Sequence, residues 1–286
     1  MQEIIRKFAP GSEWLYIKLY TGIKTADIIL EEAVKPLIQK LQNDNLIKKW
    51  FFIRYNDPKP HLRIRFELSD LDNFSKVITL IKISLKDFID SGEISELVLD
   101  TYQREIERYG GITIQDAEFL FWKNSDYILH KYLHFEDEEK IIVSLFYIDT
   151  TLQYLGLSVQ EKLDWIREFD RAFKLEFKAD KRLNTVLGKK YRAFVSKYDE
   201  FTDTDEYLPF SEDIITNINN CSDVLQHVLK YYPNPAHIFF QSIFHMNINR
   251  MFVSNQRMFE MIIYDYLLRY YKNISFKNDL TKKRLI

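Results

Sequence analysis

The sequence predicts an α+β protein in which a ferredoxin-like βαββαβ sheet half packs against an all-helical C-terminal half. The first hundred residues alternate between the period of a strand and the period of a helix, whereas the residues after Gly110-Gly111 keep helical spacing nearly throughout. No long low-complexity linker separates the two parts, and 46% hydrophobic residues can fill a sizeable core. We therefore expect one domain over residues 1–286, with a sheet-containing half at 1–111 and a helical half at 112–286.

The predicted elements of the first half follow the order β-α-β-β-α-β. Alternating side chains predict a strand at Trp14–Tyr20, and apolar residues at helical intervals from Leu30 to Leu41 predict a helix that Pro36 kinks or starts late. Two strands joined by a proline-stiffened turn, a helix that ends before Gly92 and a fourth strand complete the pattern. Their predicted bounds are Lys49–Tyr55, His61–Leu68, Leu71–Ser91 and Val98–Tyr109.

The second half is predicted to be helical. Breaks are expected at Gly110-Gly111, at the acidic stretch Thr202–Glu206 and at Pro233-Asn234-Pro235. The predicted helices are roughly Gln115–Leu133, Glu136–Leu155, Val159–Phe177, Leu183–Tyr198, Glu212–Tyr231, Ala236–Arg250 and Asn255–Tyr271.

Composition argues against several functional classes. With 40 Lys and Arg against 42 Asp and Glu, the chain lacks the broad positive field of many nucleic-acid binders. Its single cysteine, Cys221, rules out a disulfide framework and a thiolate zinc cluster. His130 and His134 have the spacing of two zinc ligands, but no HExxH glutamate accompanies them, so we predict a solvated helix face and no metal site. No signal peptide or membrane-length apolar run is evident, and we expect a cytoplasmic protein.

The most informative segment is His61–Phe66, where polar and apolar residues alternate. On a strand, this alternation places His61, Arg63 and Arg65 on one face. Adjacent guanidinium groups repel each other unless an anion offsets them, and the planar fork of arginine suits a carboxylate. Alternatively, Glu67, other surface acids or water satisfy the two charges.

Further arginines could extend this face. Arg54 lies on the preceding strand of the hairpin, and the spacing of four between Arg104 and Arg108 keeps both on one side of a strand or helix. Arginines from three strands would then converge on one cationic floor. The alternative is that Arg104 and Arg108 pair with Glu105 or Glu107 at the surface.

A polar stripe on the predicted helix Ala236–Arg250 supplies a candidate for proton transfer. Polar residues recur every four positions beside apolar ones, a pattern that can line a cleft. His245 in this stripe is the best candidate for acid-base catalysis, although a hydrogen-bonded packing histidine gives the same pattern. The stripe consists of His237, Gln241, His245 and Asn249.

Four motifs in order along the chain carry a family resemblance. They are Pro10–Tyr20; Trp50–Tyr55 with Asp57-Pro58 and His61–Phe66; Arg104-Glu105 with Arg108–Gly111; and His245-Met246 with Asn249-Arg250. Together they resemble the C-terminal glutamate-elimination domain of class I lantibiotic dehydratases, also called the thiopeptide-type bacteriocin biosynthesis domain. The resemblance spans nearly the whole chain, and four motifs in the right order are far more specific than any one of them.

The resemblance implies a lyase. Such a domain expels glutamate from glutamylated Ser and Thr side chains of a ribosomally made precursor peptide, which leaves dehydroalanine or dehydrobutyrine. In the family, a much larger domain adds the glutamate from glutamyl-tRNA. That domain is not found in this sequence, so the resemblance implies a standalone elimination protein, a separate glutamylation protein as partner, and no direct contact with nucleic acid. No redox or metal cofactor is required.

The resemblance also assigns residues. The arginines fit the two anionic tasks of elimination, which are the enolate and the departing carboxylate, and the histidine fits proton transfer as base or acid. These catalytic candidates, expected to face one cleft between the two halves, are Arg63, Arg65, Arg104 and His245. The expected substrate-binding residues are Arg54, His61, Arg108, Asn249 and Arg250.

Two other functions remain open. A second branch of the superfamily closes the pyridine ring of thiopeptides by a formal cycloaddition, and it departs from the arginine and histidine set present here. A non-catalytic module that binds the modified peptide is the other alternative.

Overall fold

The computed structural model describes residues 4–284 and the side chains of residues 4–277. It is an α+β structure, as predicted, and it divides into two compact units. The first lies within Met1–His134 and His227–Ser254, and the second lies within Phe135–Gln226 and Asn255–Ile286. The first unit therefore continues beyond Gly111, while a single functional domain over the whole chain stays a prediction.

A four-stranded antiparallel sheet forms the centre of the first unit. The described strands are β1 (Lys7–Phe8), β2 (Trp14–Thr21), β3 (Ile47–Tyr55), β4 (His61–Leu68), β5 (Ile94–Asp100) and β6 (Tyr102–Gln103). Strands β2 to β5 make the large sheet in the spatial order β3-β4-β2-β5, and β1 pairs with β6 in a separate small sheet. The edges of the large sheet are therefore β3 and β5.

Helices make up most of the remaining chain. They are α1 (Thr25–Ile29), α2 (Lys35–Asn43), α3 (Phe74–Asp90), α4 (Ile106–Tyr109), α5 (Ile114–Tyr127), α6 (Asp137–Tyr154), α7 (Val159–Glu176), α8 (Lys181–Asp203), α9 (Leu208–Asn219), α10 (Ser222–Tyr231), α11 (Ala236–Met251) and α12 (Gln256–Arg284). Two π-helical segments, Leu30–Val34 and Ile128–Tyr132, continue α1 and α5. Pro36 lies in the first turn of α2, directly after the π-helical segment Leu30–Val34, so the chain is helical without a gap from Thr25 to Asn43 and the predicted late helix start is wrong.

Two predicted elements are wrong, and the predicted last helix, Asn255–Tyr271, ends too early, because α12 continues to Arg284. The fourth strand begins at Ile94 and ends at Asp100, and the rest of the predicted strand Val98–Tyr109 forms β6 and the one-turn helix α4. The predicted helix Glu212–Tyr231 is instead the two helices α9 and α10. Its apolar residues keep helical spacing across the break, which concealed the interruption near Asn220.

The two faces of the large sheet differ in polarity. Alternating residues of β2, including Leu15, Ile17 and Leu19, are at most 1% exposed and form the apolar face. Helix α3 contacts α2 and β5 and buries the stripe of Val77, Ile81 and Leu85. The opposite face carries the polar residues of β4 beside buried aromatic residues such as Tyr16 and Phe51.

The second unit is helical. In it, α12 contacts α6, α7 and α8, and α9 contacts α6 and α8. The fully buried carboxylate of Asp265 is paired with Lys174 at 2.6 Å and with Arg269 at 2.6 Å. Within the described residues, no helix has both the length and the apolar character needed to cross a membrane.

Candidate active site

Strand β4 positions two arginines on the polar face of the sheet. The register places Arg65 opposite Tyr16 of β2 and Phe51 of β3, and Arg63 opposite Lys18 of β2. Because residues two apart on a strand point the same way, the predicted shared face of Arg63 and Arg65 is confirmed.

Arg65 is a buried cation without a counter-ion. It is 8% exposed, and its guanidinium carbon lies 4.4 Å from the ring centroid of Tyr16, 4.8 Å from that of Tyr102 and 5.2 Å from that of Phe51. Its buried Nε has no hydrogen-bond partner, and no ion pair in the described part of the chain includes it. Burial lowers the pKa of Arg65, yet a guanidinium stays protonated at physiological pH. The site therefore presents a buried positive charge that has no ion-pair partner among the described residues, although the carboxylate of Glu105, which lines the same cavity, acts on it through space.

Arg65 lines a small cavity of about 40 Å³ in the first unit. The other lining residues, mostly aromatic or aliphatic, are Phe51, Ile53, Tyr102, Gln103, Glu105, Tyr109, Ile114, Phe121 and Met246. We call this set the Arg65 pocket. Hydrogen bonds to a charged group are stronger in such an apolar setting than in water, so the pocket favours binding of an anion at Arg65.

Arg104 is already paired with a carboxylate. Its Nε and Nη2 donate to the two oxygens of Glu118 at 2.7 Å each, and Glu118 is 0% exposed. The hydroxyl of Tyr102 donates to the same carboxylate at 2.9 Å, while the ring of Tyr102 contacts Arg65. Arg104 is thus linked to the pocket through Glu118 and Tyr102. Nothing in the sequence pattern marked Glu118 as a partner, and the predicted alternative partners, Glu105 and Glu107, are not those of Arg104.

Arg108 lies at the surface. Its side chain is 48% exposed on α4, and its Nε is 3.2 Å from the carboxylate of Glu105. The predicted surface pair is confirmed for Arg108. The prediction that Arg104 and Arg108 lie on one side is wrong, because Arg104 is buried beside the small sheet.

Arg54 lies on the opposite face of the sheet from Arg65. It pairs in register with Leu62, its Nη2 is 2.5 Å from Asp27, and its Nε donates to the carbonyl of Arg250 at 3.0 Å. The predicted cationic floor of three strands is therefore wrong. The substrate-binding role of Arg54 stays a prediction. The buried ion pair between Arg54 and Asp27 does not favour it.

His61 is 3% exposed at the hairpin end of the polar face. Its Nδ1 is 2.8 Å from the carbonyl of Lys59, and its Nε2 is 3.0 Å from the Nε of Arg63. A carbonyl only accepts and an arginine Nε only donates, so the proton resides on Nδ1 and Nε2 accepts. Burial lowers the pKa of His61, and the positive charges of Arg63 and Lys18 lower it further.

Asn249 and Arg250 attach α11 to the edge strand β3. The amide of Asn249 accepts from the backbone N–H of Arg54 and donates to its carbonyl, both at 2.9 Å. The Nε of Arg250 donates to the carbonyl of Phe52 at 2.7 Å. Arg250 is 0% exposed, which leaves no surface for direct contact with a substrate.

Helix α11 carries the candidate histidine next to a residue that lines the pocket. Met246 lines the Arg65 pocket, and His245 is the residue before it. The predicted polar stripe is half-buried along its length. The helix belongs to the same compact unit as the sheet, so α11 and the sheet position these groups within that unit.

The histidines of the other candidate motif lie on an exposed face. His130 and His134 are both exposed, and Nδ1 of His130 is 2.8 Å from the carbonyl of Asp126. Across the described residues, no three His, Cys, Asp or Glu side chains are grouped so that they could hold a metal ion.

An α+β fold with a buried arginine in an aromatic pocket defines a protein suited to bind an anionic group. The chain belongs to the family described as lantibiotic biosynthesis dehydratase C-term, whose model matches residues 14–271.

Two curated relatives illustrate the similarity. The subtilin biosynthesis protein SpaB of Bacillus subtilis is 25% identical over 264 residues, which are 89% of this chain and 25% of that protein. The nisin biosynthesis protein NisB of Lactococcus lactis subsp. lactis is 38% identical over 125 residues, which are 43% of this chain and 12% of that protein. The chain therefore spans a quarter or less of the length of these relatives.

Two solved structures share the fold. The tRNA dependent lantibiotic dehydratase MibB from Microbispora sp. 107891 matches 94% of this chain and 29% of its own, with a TM-score of 0.68 at 16% identity. TbtD, the pyridine synthase from thiomuracin biosynthesis, matches 91% of this chain and 99% of its own, with a TM-score of 0.65 at 11% identity.

Proposed function

We propose that the protein is a lyase that eliminates glutamate from glutamylated Ser and Thr side chains of a precursor peptide. In the reaction, a base removes the α-proton of the modified residue and the electrons of that C–H bond form the Cα=Cβ double bond. The Cβ–O bond breaks, and its electron pair leaves with the carboxylate of glutamate. The products are free glutamate and dehydroalanine or dehydrobutyrine.

The observation that carries this proposal is the unpaired charge of Arg65. A carboxylate that develops during elimination would occupy the position of the missing counter-ion. A preorganised donor aimed at a developing charge contributes about 3–4 kcal/mol in enzymes where such a donor has been removed. The donor is effective because the protein orients it during folding, so little reorganisation accompanies the chemical step.

The other catalytic candidates receive distinct roles. Arg63, two residues along β4, stabilises the second anionic site, which is the enolate character at the peptide carbonyl. His245 transfers the proton, as base or as acid. Arg104 acts through Glu118, because its planar fork is occupied, and it fixes Tyr102 against Arg65.

The proposal extends to architecture and partners. The strand order of the large sheet fits a ferredoxin-like βαββαβ arrangement, and both compact units together would form one elimination domain over residues 1–286. A glutamylation protein that uses glutamyl-tRNA would supply the modified precursor peptide.

The test is incubation of the purified protein with a synthetic glutamylated peptide and with the corresponding dehydrated peptide. Elimination predicts release of glutamate from the first peptide and no change in the second. Consumption of the dehydrated peptide alone would favour a cycloaddition enzyme, consistent with the fold shared with TbtD. Binding of the glutamylated peptide without turnover would favour a non-catalytic module. Arg167→Ala is the control for charge removal, because Arg167 forms an exposed ion pair with Asp164 in the second unit.

A further inference from the structure

His61 and Arg63 form a hydrogen-bonded pair on the polar face of the sheet. His61 is 3% exposed, whereas Arg63 is half-buried, with its guanidinium carbon 3.5 Å from the ring centroid of Tyr55. Burial of the histidine leaves it little surface for a substrate. The group through which the histidine could act is the arginine that it contacts.

The hydrogen bonds fix the orientation of the guanidinium. The backbone carbonyl of Lys59 accepts from Nδ1 of His61, and Nε2 of His61 accepts from Nε of Arg63. Because Nε is engaged, the edge made by the two terminal nitrogens of Arg63 is the one left for an anion. No ion pair among the described residues includes Arg63, and the carboxylate of Asp100, which acts on it through space, is itself paired with Lys18.

We propose that His61 is a positioning residue whose neutral ring holds Arg63 flat on Tyr55 with its terminal nitrogens directed to the substrate. This inference rests on the proposed elimination function. Protonation of Nε2 would place an N–H against the N–H of Arg63, abolish the hydrogen bond and release the guanidinium.

The surroundings of His61 determine where this release occurs on the pH scale. The charged and titratable groups that face its ring are Arg63, Lys18 and Asp57, together with the phenol rings of Tyr20 and Tyr55. Burial and the two cations lower the pKa of His61, whereas the Lys59 carbonyl and the Asp57 carboxylate raise it; the net shift is downward. A lowered pKa keeps the ring neutral at pH 7. Release of Arg63 therefore occurs at a pH more acidic than that at which an ordinary histidine titrates.

The first experiment compares the pH dependence of glutamate release for the wild type, His61→Gln and His61→Phe. Glutamine keeps an acceptor for Arg63 but does not titrate, so this variant should retain more activity than His61→Phe and lose the acid-side decline due to His61. Phenylalanine removes the acceptor, and loss of a hydrogen bond to a charged group should reduce kcat about tenfold or more at every pH. His130→Gln, at an exposed histidine, is the matched control and should keep the wild-type profile.

The second experiment measures the tautomer and the protonation of the His61 ring directly. Nitrogen-15 NMR of the wild type and of Arg63→Met, with the His61 signals assigned from their absence in His61→Gln, reports the tautomer and pKa of this residue. The expected result is a neutral ring protonated on Nδ1, with a pKa that rises when Arg63 is removed.

The outcomes of the two experiments separate the positioning role from the proposed function. An acid-side decline in His61→Gln identical to that of the wild type, or a ring protonated on Nε2, would overturn the positioning role. A wild type that releases no glutamate at any pH would instead refute the proposed function, and the ring tautomer would still decide the geometry of the pair.

Discussion

Replacing the two buried arginines by methionine should destabilise the protein at Arg104 but not at Arg65. Arg65 and Arg104 are similarly buried, at 8% and 7% exposed, but Arg104 has the carboxylate of Glu118 and Arg65 has no ion-pair partner in the described chain. Arg65→Met removes a buried cation, whereas Arg104→Met leaves a buried anion behind. The pair of variants therefore measures whether the charge of Arg65 is retained at a cost to folding.

The contacts of Arg65 determine how much the free energy of unfolding should change in Arg65→Met. Cation–π contacts contribute about 0.5–1 kcal/mol at exposed sites and about 2 kcal/mol when desolvated, so three rings offset roughly 2–4 kcal/mol of the charge burial. The burial penalty of an isolated ion is several kcal/mol, and a methionine sulfur keeps part of the aromatic contact at about 0.3–1.5 kcal/mol. We expect Arg65→Met to leave the free energy of unfolding unchanged or to raise it by up to about 2 kcal/mol. Breaking the Arg104 pair should lower it by about 3–5 kcal/mol.

Urea unfolding followed by tryptophan fluorescence provides the measurement. Of the 4 tryptophans, Trp14, Trp50 and Trp122 lie in the first unit, so the signal reports mainly on the unit that contains both arginines. Glutamate release should be lost in Arg65→Met despite its intact stability. A loss of stability in Arg65→Met as large as in Arg104→Met would refute the reasoning, because it would reveal a structural counter-ion for Arg65.

Three further predictions concern single residues. Arg65→Lys should be nearly as defective in glutamate release as Arg65→Ala, because lysine keeps the charge but loses the planar fork that holds a carboxylate through two hydrogen bonds; a lysine variant that keeps most activity would show that positive potential is enough. His245→Ala should lower turnover about 10²–10⁴-fold with an unchanged unfolding midpoint, and glutamylated peptide should accumulate; release at the wild-type rate would reduce His245 to a packing residue. Asn249→Ala leaves two backbone groups of Arg54 unpaired and should lower the free energy of unfolding, measured by urea titration, by about 1–3 kcal/mol. The control Gln241→Ala, on the same stripe, should lower it by less than about 0.5 kcal/mol. Equal losses in both variants would argue against the anchoring role of Asn249.

Local patterns were sufficient to predict the polar face of β4. The alternation in His61–Phe66 depends only on the geometry of one strand, and the structure confirms that Arg63 and Arg65 share a face. Helices with long apolar periodicity, such as α7 and α11, were predicted within two residues of their bounds. Such features are encoded by neighbours in sequence.

Partners distant in sequence could not be predicted in the same way. Glu118 neutralises Arg104 from α5, and Asp27 neutralises Arg54 from α1, although nothing in the spacing of these acids marks them as partners. The break between β5 and β6 was missed for a related reason. It depends on pairing with β1 (Lys7–Phe8), a strand too short to show a period of its own.

The most direct test of the proposed elimination uses a synthetic peptide with a glutamylated serine that carries deuterium at its α-carbon. Elimination predicts that high-resolution mass spectrometry finds dehydroalanine that has lost both the glutamate and the deuterium, and that Arg65→Ala leaves the substrate intact. Simple hydrolysis of the ester would instead return serine with its deuterium retained. That product, or an unchanged glutamylated peptide with the wild-type protein, would contradict the proposal that Arg65 holds the departing carboxylate during β-elimination.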